Sequence, residues 1–197
     1  MFLIVIITFL QLHKLDAAVN SFTSAISYMP NFHGAHYNLG ITLKDQGKLE
    51  EAEISFKQAI TLDSDYAEAH NNLGNLLRSL GRLSDAEVSL RQAINLKADY
   101  AEAYSNLGIN LKDLGRLDEA EASCRKAINL KPGYDEAYWN LCIILYANGD
   151  LNSAISIMKD ANSINPKSKT NELLLAVLQA KKISKISGRK TQSGLGI

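Results

Sequence analysis

Cysteine, proline and tryptophan are scarce: the chain of 197 residues holds two, three and one of them. Cys124 and Cys142 are too few for a disulfide framework and lack metal-ligand spacing, which points to a reducing compartment and a cytoplasmic location. Charge of either sign is not in excess. Twenty-one basic residues balance twenty-one acidic ones, so no bulk positive field argues for nucleic acid as a partner. A long hydrophobic run is missing too. The opening MFLIVIITFL is apolar over residues 1–10 except for Thr8, well short of the roughly 20 residues that cross a bilayer. No Lys or Arg precedes it and no small-residue cleavage site follows closely, which weakens an export signal without removing a membrane-associated or exported alternative. With so few prolines, little interrupts helix, and 46% hydrophobic with 21% charged residues is an ordinary soluble balance.

What is abundant is self-similarity. Residues 67–100 laid over residues 101–134 agree at 21 of 34 positions, and a fixed period of that length marks a stacked repeat. The frame extends back over residues 33–66 and forward over residues 135–168, giving four full units. Before them, residues 1–32 read as a partial repeat whose residues 1–10 form an apolar end helix and whose second helix spans Leu15 to Tyr28. After them, residues 169–182 read as a capping helix and residues 183–197, polar and basic, as a flexible tail. An all-round apolar end helix at residues 1–10 leaves one face uncovered, so self-association or a membrane contact is expected there.

Each unit spells two antiparallel helices. Gly47, Gly81, Gly115 and Gly149 recur just past an apolar-periodic stretch, where a left-handed residue ends a helix. Ser84 with Glu87 and Asp118 with Glu121 resemble capping boxes opening the second helices, and Asn31, Asp65 and Asp99 are placed to cap the next first helices. Leu39, Leu73, Leu107 and Leu141, with a leucine four residues on in each, form the apolar stripe of the first helices. Alanines keep the second helices thin, and Gly40, Gly74 and Gly108 let the axes close up. No unit buries its stripe alone, so neighbours must stack.

The frame A-E-A-[HY]-x-N-L-G-x-x-L-x-x-x-G-[KR]-L-x-x-A-E, followed by A-I-x-L, resembles the tetratricopeptide repeat over about residues 2–182. That resemblance implies an all-α fold, a right-handed superhelical solenoid of antiparallel helix pairs. More narrowly, N-L-G in successive units with Tyr66, Tyr100 and Tyr134 at the junctions is similar to the repeat arrays of O-linked N-acetylglucosamine transferases and of bacterial glycosyl- and sulfotransferase proteins. No transferase domain accompanies it in this sequence. Asn38, Asn72, Asn106 and Asn140 occupy one frame position beside the buried leucine, and a primary amide offers both donors and an acceptor. The resemblance implies that these four form a ladder along a concave surface that holds peptide main chain. The opposing reading is that each amide bonds only within its own repeat.

On the same expected face, Tyr37, Asn71, Ser105 and Trp139 share the fifth position and Ile41, Asn75, Ile109 and Ile143 the ninth. Tyr37 and Trp139 are candidate anchors for ligand side chains, with Asn75 in the polar middle, and packing under the final helix is the alternative for Trp139. Glu68, Glu102 and Glu136 against Lys44, Arg78 and Lys112 match helix-dipole preferences as well as they match a ligand. His33 and His36 lie one helical turn apart without a third metal ligand fixed by a motif, and His36 and His70 occupy an aromatic packing position. No phosphate loop, nucleophile elbow or triad is present, so neither cofactor, metal site nor catalysis is expected. The reading is a protein-interaction scaffold for an extended peptide, with the targeting or regulatory part of a transferase system as the alternative.

Overall fold

The computed structural model describes residues 2–193, with side chains over residues 13–182. These form ten α-helices: α1 (Phe2–Tyr28), α2 (His33–Asp45), α3 (Leu49–Leu62), α4 (Ala67–Ser79), α5 (Leu83–Leu96), α6 (Ala101–Asp113), α7 (Leu117–Leu130), α8 (Asp135–Ala147), α9 (Leu151–Ile164) and α10 (Lys169–Ser193). There is no strand among the described residues, and the architecture is an all-α solenoid of helix pairs. No helix among them is long and apolar enough to cross a membrane. The chain divides within α6 into two compact units, Met1–Asn106 and Leu107–Ile197.

Both terminal segments differ in detail from the sequence reading. The backbone of α1 is one helix through Phe2–Tyr28, with no turn between residues 10 and 15. Likewise α10 stays helical to Ser193, beyond the expected end at residue 182. The expected self-association or membrane contact through residues 1–10 concerns side chains outside the described residues.

In the first unit, α2 and α4 are the first helices of their repeats, and α3 and α5 pack back on them. The turns that reverse the chain are closed by main chain. Gly47 sits at φ 78°, its N–H donates to Lys44 O at 2.9 Å, and the Lys48 N–H donates to Leu43 O at 2.9 Å. Those two bonds satisfy carbonyls that a helix end leaves open, and only a left-handed residue at position 47 allows both. Gly81 repeats the arrangement, at φ 76°. The second helices begin two residues earlier than their expected caps: Arg82, not Ser84, is the N-cap of α5, and neither it nor Lys48 before α3 makes a side-chain cap bond. Asn31 and Asp65 are not caps either, since Phe32 and Tyr66 hold those positions. Because the tight main-chain turn runs directly into the next helix, the polar residues fall one or two places off the cap. Glu87 instead bonds Arg91 at 2.8 Å.

The core of this unit gathers Leu43, Phe56, Leu73, Leu76 and Leu77 around Ala52 and Ala86. Helix separation is set by Gly40 and Gly74: a methyl group at Gly40 would stand 2.8 Å from the Phe56 ring, and one at Gly74 2.6 Å from Leu90 Cγ. Glu53 joins successive second helices, accepting from Lys57 at 2.7 Å and from Arg82 at 2.8 Å. The Lys57 bond first, then Arg82, holds its carboxyl below the usual carboxylate range.

The second unit repeats the plan. Gly115 and Gly149 close its turns at φ 79° and 83°, and the N-cap of α7 is Arg116, so the capping box expected at Asp118 is absent here too. At α9 the cap is a side chain, with Asp150 Oδ1 accepting from the Ser153 N–H at 3.0 Å. Leu111, Leu141, Ile144, Leu145 and Met158 are buried with Cys124 and Cys142. Burial raises both thiols, Cys124 to about 12 and Cys142 to about 11. Both cysteines are free.

Candidate binding surface

In the first unit, the frame positions adjoining the buried leucine of α2 and α4 bring amides and tyrosines together. Asn72, on α4, donates through Nδ2 to the Tyr37 hydroxyl of α2 at 2.8 Å and to Glu68 O, one turn back, at 3.2 Å. Both amide hydrogens are thereby used, and Oδ1 accepts no bond among the described residues. The Glu68 carbonyl also fixes the orientation of the amide, because a flipped Oδ1 would face another oxygen. One repeat on, Asn106 Nδ2 donates to Asn71 Oδ1 at 2.9 Å, and Asn71 Nδ2 reaches the Tyr100 hydroxyl at 3.4 Å.

The asparagines therefore bond between neighbouring repeats, with an offset of 35 residues in both cases. Asn71 is buried, Asn72 and Asn106 are half-buried and Asn38 is exposed. Asn75 is half-buried and makes no hydrogen bond among the described residues. Tyr37 packs tilted against the rings of Tyr66, at 4.8 Å between centroids, and Phe56, at 6.0 Å, so its ring is fixed while its hydroxyl proton stays available. Burial, then the Glu68 charge, raises Tyr37 above the usual tyrosine range, and the same two causes lead for Tyr100. Glu68 is met by Lys97 at 3.3 Å, and Lys97 also lies 4.9 Å from the Tyr100 ring centroid.

The histidines weighed as metal ligands are occupied separately. His36 Nε2 pairs with Pro30 O at 3.0 Å, and His70 Nε2 makes the same bond to Ser64 O at 3.1 Å, so this frame position ties each first helix to the turn before it. His33 Nε2 stands 3.8 Å from Asp63 and its ring meets Tyr66 edge-on.

In the second unit the corresponding positions are built differently. The Trp139 indole N–H donates to Asn171 Oδ1 at 2.6 Å. Asn171 is fully buried, and its backbone N–H donates to the Ser168 Oγ cap at 3.3 Å. This pins the tryptophan to α10. Asn140 is half-buried, and Ile143 and Tyr146 on the same helix are 43% and 45% exposed. Sequence reasoning does not single out Asn171, Tyr66 or Tyr100 as site residues. The junction tyrosines recur visibly in sequence, whereas Asn171 has no repeat partner to flag it.

Helix pairs on a 34-residue frame, with outward amides joined from one pair to the next, define a helical-repeat protein. The chain belongs to the tetratricopeptide repeat family: a TPR repeat model matches residues 42–78 and 74–115, and a tetratricopeptide repeat model matches residues 111–181. No curated protein sequence matches it. Among solved structures it is similar to MamA, at 28% identity over 81% of this chain and 94% of that one, with a TM-score of 0.70. TTC0263, a thermophilic TPR protein of Thermus thermophilus, has its fold, at 23% identity over 88% and 95%, TM-score 0.73. So does YrrB, described as a TPR protein with an unusual peptide-binding site, at 23% identity over 87% and 86%, TM-score 0.66.

Proposed function

We propose that the chain is an interaction scaffold that holds an extended peptide against the first-helix face of its first unit. The observation that carries this reading is the tethering of Asn72 and Asn106 to the preceding repeat, which leaves each amide oxygen fixed, half-buried and without an internal partner among the described residues. Oriented acceptors at a repeat spacing suit peptide N–H groups, and their order is already set before binding. Tyr37 supplies a neighbouring hydroxyl donor for a peptide carbonyl, and Asn75 a free amide. In the second unit Asn140 and Trp139 remain candidate contacts, with the Trp139 ring and not its N–H available to a ligand. The peptide-binding site ascribed to YrrB lends the reading support from the same fold. A cytoplasmic location accords with two free thiols and belongs to the same proposal.

The test is a peptide selected from a random library on the intact chain, with its Kd measured against the Asn72→Ala/Asn106→Ala variant well below the melting temperature. Losing one acceptor bond at each position should cost about 1–3 kcal/mol, roughly five-fold to a hundred-fold in Kd. The same variant also removes two bonds between repeats, so its melting temperature should fall modestly. A lower melting temperature with unchanged Kd would leave these asparagines as fasteners only.

A further inference from the structure

The second unit carries an apolar groove that the repeat frame does not call for. It lies between α8 and α10, with a volume of about 160 Å³. Ile143 and Tyr146 form one wall, and Leu174, Val177 and Leu178 the other. Three of these side chains stay substantially in water: Ile143 is 43% exposed, Tyr146 45% and Val177 45%. A cavity of about 150 Å³ is enough for a benzene ring, so the space suits one large apolar side chain and not a folded surface.

The electrostatics of the rim are one-sided. At the frame position of Tyr146 the earlier units carry Lys44, Arg78 and Lys112. Here the cation arrives from the next helix instead: Lys181 Nζ donates to the Tyr146 hydroxyl at 2.9 Å and lies 4.8 Å from the ring centroid. The aromatic ring thus holds the ammonium at the groove mouth. Among the described residues no carboxylate lines the groove, and the exposed Lys182 follows directly. An apolar slot with one ammonium at its mouth and no carboxylate in its lining is complementary to an apolar side chain next to negative charge.

We propose that this groove is a docking site for a partner peptide segment bearing a large apolar side chain flanked by acidic residues. The site is separate from the amide face of the first unit and stands or falls independently of it. Binding removes the exposed parts of Ile143, Tyr146 and Val177 from water while the flanking carboxylates meet Lys181.

The probe is an acetylated, amidated pentapeptide with phenylalanine at its centre and glutamates around it, titrated into the full isotope-labelled chain and followed by NMR. Three comparisons accompany it: the same peptide with central alanine, the same peptide with lysine flanks, and phosphatidylcholine vesicles containing phosphatidylserine. The expected result is that signals from Ile143, Val177 and Lys181 move with the phenylalanine–glutamate peptide. Central alanine should weaken binding about ten-fold or more. Lysine flanks should weaken it about three-fold or more at low salt, a difference that shrinks in a Lys181→Gln variant. Val177→Glu, at a half-exposed site, should remove binding with helix content unchanged, and Ile143→Asn serves as a second variant should it not. Equal binding of the alanine or lysine-flanked peptide overturns the proposal, as does the absence of any shift at millimolar peptide. Movement of these signals with anionic vesicles alone assigns the groove to a membrane surface and overturns it equally.

Discussion

The two units share one frame and fill it differently. In the first, position 24 of the repeat is filled by Phe56 and Leu90, and the outward positions of α2 and α4 carry Tyr37, Asn72 and Asn75 over the buried Asn71. In the second, position 24 is Cys124 and Met158, and the outward positions of α8 carry Trp139, Ile143 and Tyr146. The turn glycines and thin alanines hardly vary, because the left-handed turn and close helix approach admit few alternatives. The outward positions are free of that constraint, so their divergence separates a polar, donor–acceptor surface from an apolar one.

Breaking the comparison at position 24 should give the largest effect. Phe56→Ala should cost about 3–5 kcal/mol by the transfer and cavity terms together, whereas Cys124→Ala, which removes one sulfur, should cost about 1 kcal/mol. Urea unfolding followed by circular dichroism measures both, and equal losses would deny that the frame position is filled so unequally. Next comes Gly74→Ala. Its new methyl group would stand 2.6 Å from Leu90 Cγ and 3.1 Å from Ala86 O, and main-chain oxygen cannot rotate away. Overpacking of this kind costs about 1–3 kcal/mol and should lower the urea midpoint accordingly.

Alkali should separate the units by chemistry. Cys124 is raised to about 12 and Cys142 to about 11, against an ordinary 9.0. A raised thiol favours the folded state in full below the unfolded value, and that contribution is lost as pH climbs from 9 toward the folded values. The raised tyrosines of the first unit, Tyr37, Tyr66 and Tyr100, begin the same loss only above 10.0. Between those points the second unit alone should weaken, by up to about 1.4 kcal/mol per pH unit for each thiol. Trp139 is the only tryptophan and reports that unit, so its fluorescence midpoint in urea should fall from pH 8 to 10. Cys124→Ala should flatten the slope. The smallest effect is expected from Tyr37→Phe, which removes one acceptor from Asn72 and should cost about 0.5–1.5 kcal/mol in the first unit, with the Trp139 signal unmoved.

The sequence displayed the fold through the residues that geometry leaves no freedom. Gly47, Gly81, Gly115 and Gly149 all take positive φ, and the leucine and alanine stripes are buried where the period places them, except for the half-buried Leu39. Helix caps were less legible. The turn closed by Gly81 runs straight into α5, which puts Arg82 at the N-cap and Ser84 two places inside the helix, and before α4 it is Tyr66, not Asp65, that holds the cap position. Of the candidate surface, the sequence exposed the recurrence of asparagine but not its partners. The bonds from Asn72 to Tyr37 and from Asn106 to Asn71 link the sixth position of one repeat to the fifth of the previous one, a diagonal that a comparison within single repeats does not reveal. Trp139 bonding to Asn171 was equally hidden, because it depends on how α10 is seated and not on any period.

The central claim is that the first unit presents fastened amides to a ligand main chain. Its most direct test follows the side-chain amide signals of Asn72 and Asn106, together with the Trp139 indole signal, while the library-selected peptide is titrated into the intact chain. The account predicts that both asparagine signals shift in proportion to occupancy, with the indole, its N–H already bonded to Asn171, following only where the peptide also reaches the second unit. Movement of the Trp139 indole with the two amide signals unchanged would contradict it and place the peptide on the second unit instead.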